Sequence, residues 1–190
     1  MKEEAQLIEK AKRGDIPAFE ELISTHQNMI YNYCYRMSGN LHDAEDLTQE
    51  VFIKVYKSLE TFKGKSKFST WIYRIAYNTC IDRHRKNKPI DDNMVFLDSE
   101  DEYINLKSKS DIPEDELLTK ESQDRIQRCI NSLRPEYRSV IILRDIQNYT
   151  YVEIAEMLDI PLGTVKSHIN RGRAALRKSL KSQDMRGCMQ

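Results

Sequence analysis

Residues 158–173, LDIPLGTVKSHINRGR, constrain the fold of this chain more than any other stretch. The preceding residues 151–158 have apolar side chains at helical spacing, with Val152, Ala155 and Leu158 or Ile154 on one face. Pro161 favours the start of a second helix after a short turn, because proline fits the first turn of a helix without losing a hydrogen bond. The order of helix, turn and helix predicts a helix-turn-helix, whose second helix lies in the major groove of DNA.

The second helix of this motif carries polar side chains suited to nucleic acid. Lysine, arginine, serine and asparagine can donate hydrogen bonds to base edges or to phosphates. The candidates are Lys166, Ser167, Asn170, Arg171, Arg173 and Arg177. We expect Ser167, Asn170 and Arg171 to form the central base-recognising group, because spacings of three and four share a helix face. We expect Arg173 and Arg177 to contact phosphates, and the alternative for the motif is a helical hairpin with a solvated basic face.

Charge is unevenly distributed along the chain, although its 30 basic and 30 acidic residues cancel. Residues 1–88 carry a net charge of +3, residues 89–121 carry −8 and residues 122–190 carry +5. The middle segment has no sustained apolar periodicity and therefore predicts a flexible acidic linker. We expect an all-α protein with two small helical domains over residues 1–88 and 122–182, followed by a tail over residues 183–190.

Composition favours a soluble protein, since the mean hydropathy is −0.67 and no apolar run in the sequence is long enough to span a membrane. The first residues lack the basic-then-apolar order of a signal peptide, so we expect a cytoplasmic location. The four cysteines lack the close pairs of a zinc site or a disulfide framework. They are Cys34, Cys80, Cys129 and Cys188. For the first three we expect buried thiols, and we expect no bound metal.

A helix predicted over residues 42–58 has an apolar stripe and an acidic side. The stripe consists of Ala44, Leu47, Val51 and Val55. The acidic side consists of Asp43, Asp46, Gln49 and Glu50, together with Lys54. Such a side is usually only solvated, and the residues alone leave any further role open.

Residues 59–78 combine a lysine-rich loop with aromatic side chains at the start of another helix. Lysines follow a phosphate backbone while aromatic rings stack on unpaired bases, so the combination indicates single-strand binding. The loop lysines are Lys63, Lys65 and Lys67, and they alternate with Phe62 and Phe68. The helix then places Arg74, Asn78 and Arg85 on a shared face. For Phe68 and Trp71 the alternative is packing in the core.

Four motifs occur in a fixed order along the chain. They are DAEDLTQEVF (43–52), FSTWIYRIAYN (68–78), LRPEYR (133–138) and GTVKS (163–167). Together they closely resemble the extracytoplasmic-function (ECF) group of bacterial RNA polymerase sigma factors, in the sigma-70 family. The resemblance covers both predicted domains and leaves only the linker and tail unmatched. One departure is Leu133-Arg134-Pro135, where the family often has Leu-Pro directly.

The resemblance implies a role for each surface. The acidic side of the helix over residues 42–58 would dock on the clamp coiled coil of the polymerase β′ subunit. Residues 62–85 would melt and recognise the −10 element, with Asn78 contacting a base and Trp71 among the DNA contacts. The helix-turn-helix would bind the −35 element. The acidic linker would thread toward the active cleft of the polymerase, which suits a polyanion in a channel built for nucleic acid.

The resemblance also implies partners: core RNA polymerase through its β′ and β subunits, promoter DNA, and an anti-sigma factor, which in many members is membrane-bound. It implies no insertion of this chain into a membrane, no cofactor and no catalytic residue, since the polymerase performs the chemistry. Two alternatives stay open. One is a stand-alone helix-turn-helix regulator with a sensing domain. The other is an enzyme acting on nucleic acid, although the sequence shows no nucleophile–base pair, phosphate loop or metal cluster.

Overall fold

The computed structural model describes residues 2–87 and 120–187, and the regular elements within these ranges are helical, as predicted. The α-helices are α1 (Lys2–Lys12), α2 (Ile16–Ser38), α3 (Leu41–Ser58), α4 (Phe68–Asn87), α5 (Lys120–Asn131), α6 (Pro135–Ile141), α7 (Tyr151–Leu158) and α8 (Leu162–Gly187). A 3₁₀ turn over Leu59–Thr61 follows α3, and a π-helical turn over Ile142–Ile146 follows α6. The predicted acidic linker and Cys188 lie outside the described residues. Residues 183–187, predicted as a tail, continue α8.

The N-terminal helices α1–α4 enclose an apolar core in which α2, α3 and α4 contact one another. Asp15 begins α2 by accepting a hydrogen bond from the Ala18 amide at 3.1 Å, and Gly39 ends it at a φ of +85°. The predicted stripe of α3 is buried, as periodicity indicated. Cys34 and Cys80 are buried free thiols of this core, and Cys129 is a buried free thiol of α5, as predicted.

The C-terminal helices α5–α8 include the predicted helix-turn-helix as α7, a tight turn and α8. Thr150 and Glu153 form a capping box that starts α7, and Asp159 ends it in the left-handed conformation at a φ of +57°. Val165 and Ile169 of α8 are fully buried. The prediction was wrong for Val152, which is 57% exposed, because the core face of α7 is formed by its neighbours at positions 154, 157 and 158.

The two groups of helices pack against each other, which the sequence did not predict. The buried hydroxyls of Tyr33 in α2 and Ser139 in α6 are 2.7 Å apart. Arg138 donates to the carbonyl oxygen of Met37, and Gln127 donates to that of Arg36 at 3.1 Å. These carbonyls belong to the last turn of α2, where no intrahelical donor is available and a cation is favoured. Side chains of the C-terminal helices therefore supply hydrogen-bond donors to the carbonyl groups in the last turn of α2.

None of the helices within residues 2–87 and 120–187 is both long enough and apolar enough to cross a membrane.

Candidate nucleic-acid interface

The exposed side of α8 presents four of the predicted DNA-contacting side chains. These are Lys166, Ser167, Asn170 and Arg171. The opposite side is anchored by Val165 and Ile169, which are fully buried, so the helix cannot rotate without breaking its core. The Ser167 hydroxyl donates to the Thr164 carbonyl at 3.0 Å, and its oxygen can still accept a further bond. The first two turns of α8 thus hold donors and acceptors on a rigid helix.

Arg173 has a different position from the one predicted. Its guanidinium forms a two-pronged ion pair with Asp145 of the π-helical turn, with Nε 3.1 Å from Oδ2. The hydrogen bonds that Arg173 donates to the Asp145 carboxylate raise the pKa of Arg173. Arg177, one turn further on, is exposed. Arg173 therefore fastens α8 to the helix before α7, and Arg177 is the better candidate for a phosphate contact.

His168 lies beside the proposed base-recognising side chains and faces Tyr137, with 5.2 Å between the ring centroids. Burial lowers the pKa of His168, nearby Glu136 acts in the opposite direction, and Arg171 lowers it further. The imidazole is therefore neutral near pH 7 and supports α8 as a packing group.

In the lysine-rich loop the lysine side chains are exposed, and the aromatic side chains at its two ends are buried. Lys63, Lys65 and Lys67 are exposed around Gly64, whose φ of +67° turns the chain. Phe62 and Phe68 are 7% and 2% exposed, with their ring centroids 5.3 Å apart. The proposed stacking of bases on these two rings was wrong, because the rings form the core that supports the loop. Trp71 is half-buried against both rings, so it alone of the three presents part of its surface.

Two of the three predicted polar side chains of α4 lie on its exposed surface, and the third faces α7. Asn78 and Arg85 are exposed. Arg74 is half-buried, and its Nη2 donates to the Glu156 carbonyl of α7 at 2.9 Å and lies 3.3 Å from Oδ1 of Asp159. The structure thus leaves Asn78 accessible to a base and engages Arg74 with the C-terminal helices.

The acidic side of α3 is less uniform than its sequence indicates. Asp46 and Gln49 are exposed, and Asp43 is half-buried at the start of the helix, where Asn40 caps it. Glu50 lies 2.9 Å from Lys54 and 3.1 Å from Arg83 of α4, and the hydrogen bond from Lys54, with that from Arg83, lowers its pKa. Glu50 therefore links α3 to α4, whereas the Asp46 carboxylate is exposed and lies 3.8 Å from Nδ1 of His42.

Three positions that hold these surfaces in place were not predicted from the sequence. Gln147 follows the π-helical turn and accepts a hydrogen bond from Tyr73 of α4 at 2.7 Å. Gly172 lets α8 approach α6, and its place inside a helical pattern was a signal that could have found it. Arg138 is buried and joins three backbone carbonyls, which no local pattern indicates. Within the described residues, no group of three potential metal ligands occurs.

A helix-turn-helix with donors and acceptors on the exposed side of its second helix is typical of a DNA-binding protein. Family models described as "Sigma-70 region 2" and "Sigma-70, region 4" match residues 22–90 and 123–176. The chain belongs to the ECF group of the sigma-70 family, and it is an alternative sigma factor that directs transcription initiation.

Two curated relatives cover nearly the whole chain. The ECF RNA polymerase sigma factor SigW of Bacillus subtilis is 43% identical over 92% of this chain and 95% of its own length. The ECF RNA polymerase sigma-E factor of Haemophilus influenzae is 34% identical over 92% of this chain and 93% of its own.

Two solved structures share the fold. CnrH, in complex with the cytosolic domain of CnrY, has a TM-score of 0.67 at 20% identity and covers 95% of this chain and 98% of its own. The sigma factor RpoE of Bartonella quintana, in complex with the anti-sigma factor NepR, has a TM-score of 0.62 at 22% identity and covers 86% of this chain and 96% of its own.

Proposed function

We propose that this sigma factor recognises the −35 element with the exposed side of α8 and the −10 element with the lysine-rich loop and α4. The proposal rests on two polar surfaces, each of which lies over buried apolar side chains. One is the side of α8 opposite the buried Val165 and Ile169. The other is the lysine-rich loop, which packs on the buried rings of Phe62 and Phe68. Bases in duplex DNA are recognised from the major groove, whereas melted bases are bound in pockets beside a basic track.

Within the −35 surface, Ser167, Asn170 and Arg171 are the proposed base contacts, with Lys166 and Arg177 beside them. An arginine can bond a guanine through two donors, and an asparagine can bond an adenine in the same way. Within the −10 surface, Asn78 is the proposed base contact, and Lys63 and Lys65 are the proposed phosphate contacts. Arg85 extends this surface toward the end of α4, and Lys67 and Arg74 belong to it once they are released from α7.

We further propose that Asp46 and Gln49 of α3 dock on the clamp coiled coil of the polymerase β′ subunit. Ile53, one turn after Gln49, is 54% exposed and adds an apolar contact to the same side of the helix. Glu50 acts behind this surface by holding α3 against Arg83 of α4. The chemistry of transcription stays with the polymerase, so the protein itself catalyses no reaction and acts in the cytoplasm.

An anti-sigma factor is the remaining proposed partner. Two proteins of the same fold, CnrH and RpoE, were solved with CnrY and NepR, and NepR is named as an anti-sigma factor. A protein of this kind would compete with the polymerase for the helices of this chain.

A pull-down with purified core RNA polymerase tests the docking. The wild-type chain should bind, and Asp46→Lys should weaken binding at least about tenfold, because opposite charges become like charges at an interface. Glu20→Lys, an equal reversal on the exposed side of α2, is the matched control and should bind as wild type does. Failure of the wild-type chain to bind the polymerase would favour a stand-alone regulator, and full binding by Asp46→Lys would move the docking surface elsewhere.

A further inference from the structure

Gly163 is a glycine of α8 for which the fold gives no reason. A positive φ between +67° and +87° favours glycine at three other positions, which are Gly14, Gly39 and Gly64. Close packing favours it at Gly172, where a Cβ would lie 2.9 Å from Cγ1 of Ile141. Gly163 has no positive φ, and a Cβ built on it meets nothing within 4 Å. The fold would therefore accept a side chain at position 163.

Gly163 is also exposed, in the first turn of α8. Glycine lowers the stability of a helix relative to alanine, because it loses more backbone freedom on folding. What a helical glycine offers in return is room for another molecule to approach the helix backbone closely. DNA is the molecule proposed to meet this side of α8, so the open space at Gly163 is space that DNA can occupy.

The position of Gly163 on the helix supports this reading of the open space. At about 100° per residue, Gly163, Ser167 and Asn170 lie within about 60° of one another and form a line along the helix. Lys166 and Arg171 lie about 70° to either side of this line. Gly163 is therefore at the middle of the polar side of α8, with the long cationic side chains at its edges.

The side chains that follow Gly163 on this line are short. The Ser167 hydroxyl donates to the Thr164 carbonyl at 3.0 Å, which holds it against the helix backbone. Its oxygen and the Asn170 amide can reach a base edge only where the backbone of α8 lies close to the bases. The longer side chains of Lys166 and Arg171 can reach DNA from a greater distance. A side chain at position 163 would stand between the line of short side chains and the DNA.

We propose that Gly163 is a positioning residue for −35 recognition, because its missing side chain lets the first turn of α8 lie close enough to the bases for Ser167 and Asn170 to contact them. The first residues of a recognition helix are the ones that contact base edges in helix-turn-helix proteins. The inference rests on the proposed −35 function of α8. It adds a residue that sets the distance between the helix and the bases to the residues that bond the DNA.

The test measures binding of the full chain, in complex with core polymerase, to two promoter duplexes that differ only in the −35 sequence. One carries the −35 sequence that the wild-type complex selects from randomised DNA, and the other carries the same bases scrambled. Gly163→Ala should weaken binding to the selected duplex about three- to tenfold, and Gly163→Leu at least about thirtyfold, because a larger side chain displaces a close contact further. Binding to the scrambled duplex should change much less, so the ratio between the two duplexes falls.

The matched control is Ala174→Leu, which adds bulk to the same side of α8. Ala174 is exposed and lies eleven residues, or about 16 Å, beyond Gly163 along the helix. This variant should keep most of the discrimination between the two duplexes, because it leaves the first turn of α8 unchanged. Circular dichroism and polymerase binding should be as in wild type for all three variants, since both positions are exposed. An equal loss of discrimination in Ala174→Leu and Gly163→Leu would overturn the special role of position 163.

A double-mutant cycle tests whether Gly163 acts through the short side chains. Ser167→Ala/Asn170→Ala should weaken binding of the selected duplex about tenfold in the wild-type background, on the scale of one or two lost hydrogen bonds. The same pair should have little effect in the Gly163→Leu background, where these side chains no longer reach the bases. An equal effect in both backgrounds, or none in either, would overturn the proposal.

Arg171→Ala separates this inference from the −35 function on which it rests. Arg171 is long and belongs to the proposed −35 surface, so its removal should reduce discrimination whatever the role of Gly163. If Arg171→Ala loses discrimination but Gly163→Leu binds as wild type does, the role of Gly163 is refuted and the −35 function stands. If neither variant changes the discrimination between the two duplexes, both are refuted.

Discussion

A Cβ atom on Gly172 of α8 would lie 2.9 Å from Cγ1 of Ile141 in α6, closer than real Cβ contacts allow. The same atom would lie 3.4 Å from Cβ of Tyr137. The two helices therefore approach each other through a position with no side chain, and this approach sets the orientation in which α8 presents its polar side.

Gly172→Ala should lower the free energy of unfolding by about 1–3 kcal/mol, because an extra methyl group in a packed core displaces its neighbours. This loss exceeds the gain of up to about 1 kcal/mol that alanine offers over glycine inside a helix. The matched control is Gly163→Ala in the same helix, where an added Cβ meets nothing within 4 Å and stability should stay equal or rise. Urea denaturation followed by circular dichroism measures both. Equal stability of the two variants would contradict the close contact.

Asn78→Ala and the pair Lys63→Ala/Lys65→Ala should impair promoter opening in different ways. Removing a two-bond amide contact should reduce discrimination against a wrong base by about 1–3 kcal/mol. Removing the lysines should reduce the dependence of opening on salt, because fewer counterions are released from phosphates. Permanganate footprinting on a cognate promoter, repeated over a salt series, distinguishes the two effects. Normal melting by both variants, with polymerase binding intact, would show that the −10 element is recognised elsewhere.

Arg171→Ala should change the base preference within the −35 element, because Arg171 is exposed on the proposed recognition side of α8. Arg177→Ala should weaken binding almost equally for all sequences, as loss of a phosphate contact does. Selection from randomised −35 sites ranks the preferred sequences for each variant. If Arg171→Ala kept the wild-type ranking at lower affinity, Arg171 would contact the backbone and the orientation of α8 on DNA would need revision.

Stability should fall as the pH drops below about 6.5, the ordinary pKa of histidine, because burial lowers the pKa of His168 in the fold. Below this pH the unfolded chain binds a proton at His168 that the folded chain does not yet bind. The free energy of unfolding is therefore highest above about pH 6.5, and it decreases as the pH falls toward the pKa of His168 in the folded protein. His168→Gln should flatten the change in urea midpoint between about pH 7.5 and about pH 5.5. Asn28→Gln, which removes no titratable group at an exposed site in α2, is the control and should leave the wild-type slope. An unchanged slope in His168→Gln would mean that this histidine titrates normally.

Periodicity predicted the elements whose partners are close in sequence. The stripe of α3 and the burial of Val165 follow from helical spacing, and the end of α7 at Asp159 agrees with the short turn expected before Pro161. Such features depend on one or two turns of helix, so a single sequence contains the information that specifies them.

Contacts between residues that are far apart in the sequence could not be predicted from helical periodicity. Glu50 pairs with Arg83, which is 33 residues away, and Arg138 reaches the Met37 carbonyl across 101 residues. The sequence identifies each of these side chains as polar, but only the packing of helices decides whether a polar side chain faces a partner protein or another part of the same chain. For the same reason Arg173 was predicted to contact DNA and is found paired with Asp145.

The most direct test is transcription of genomic DNA by core polymerase with this protein, with every start site mapped. The wild-type protein should direct starts from one set of promoters that share a −10 and a −35 sequence. Asn78→Ala should change the −10 consensus alone and Arg171→Ala the −35 consensus alone, because the two residues lie on separate surfaces. Starts that are independent of the protein, or consensus sequences unchanged by both substitutions, would contradict the assignment of these two surfaces.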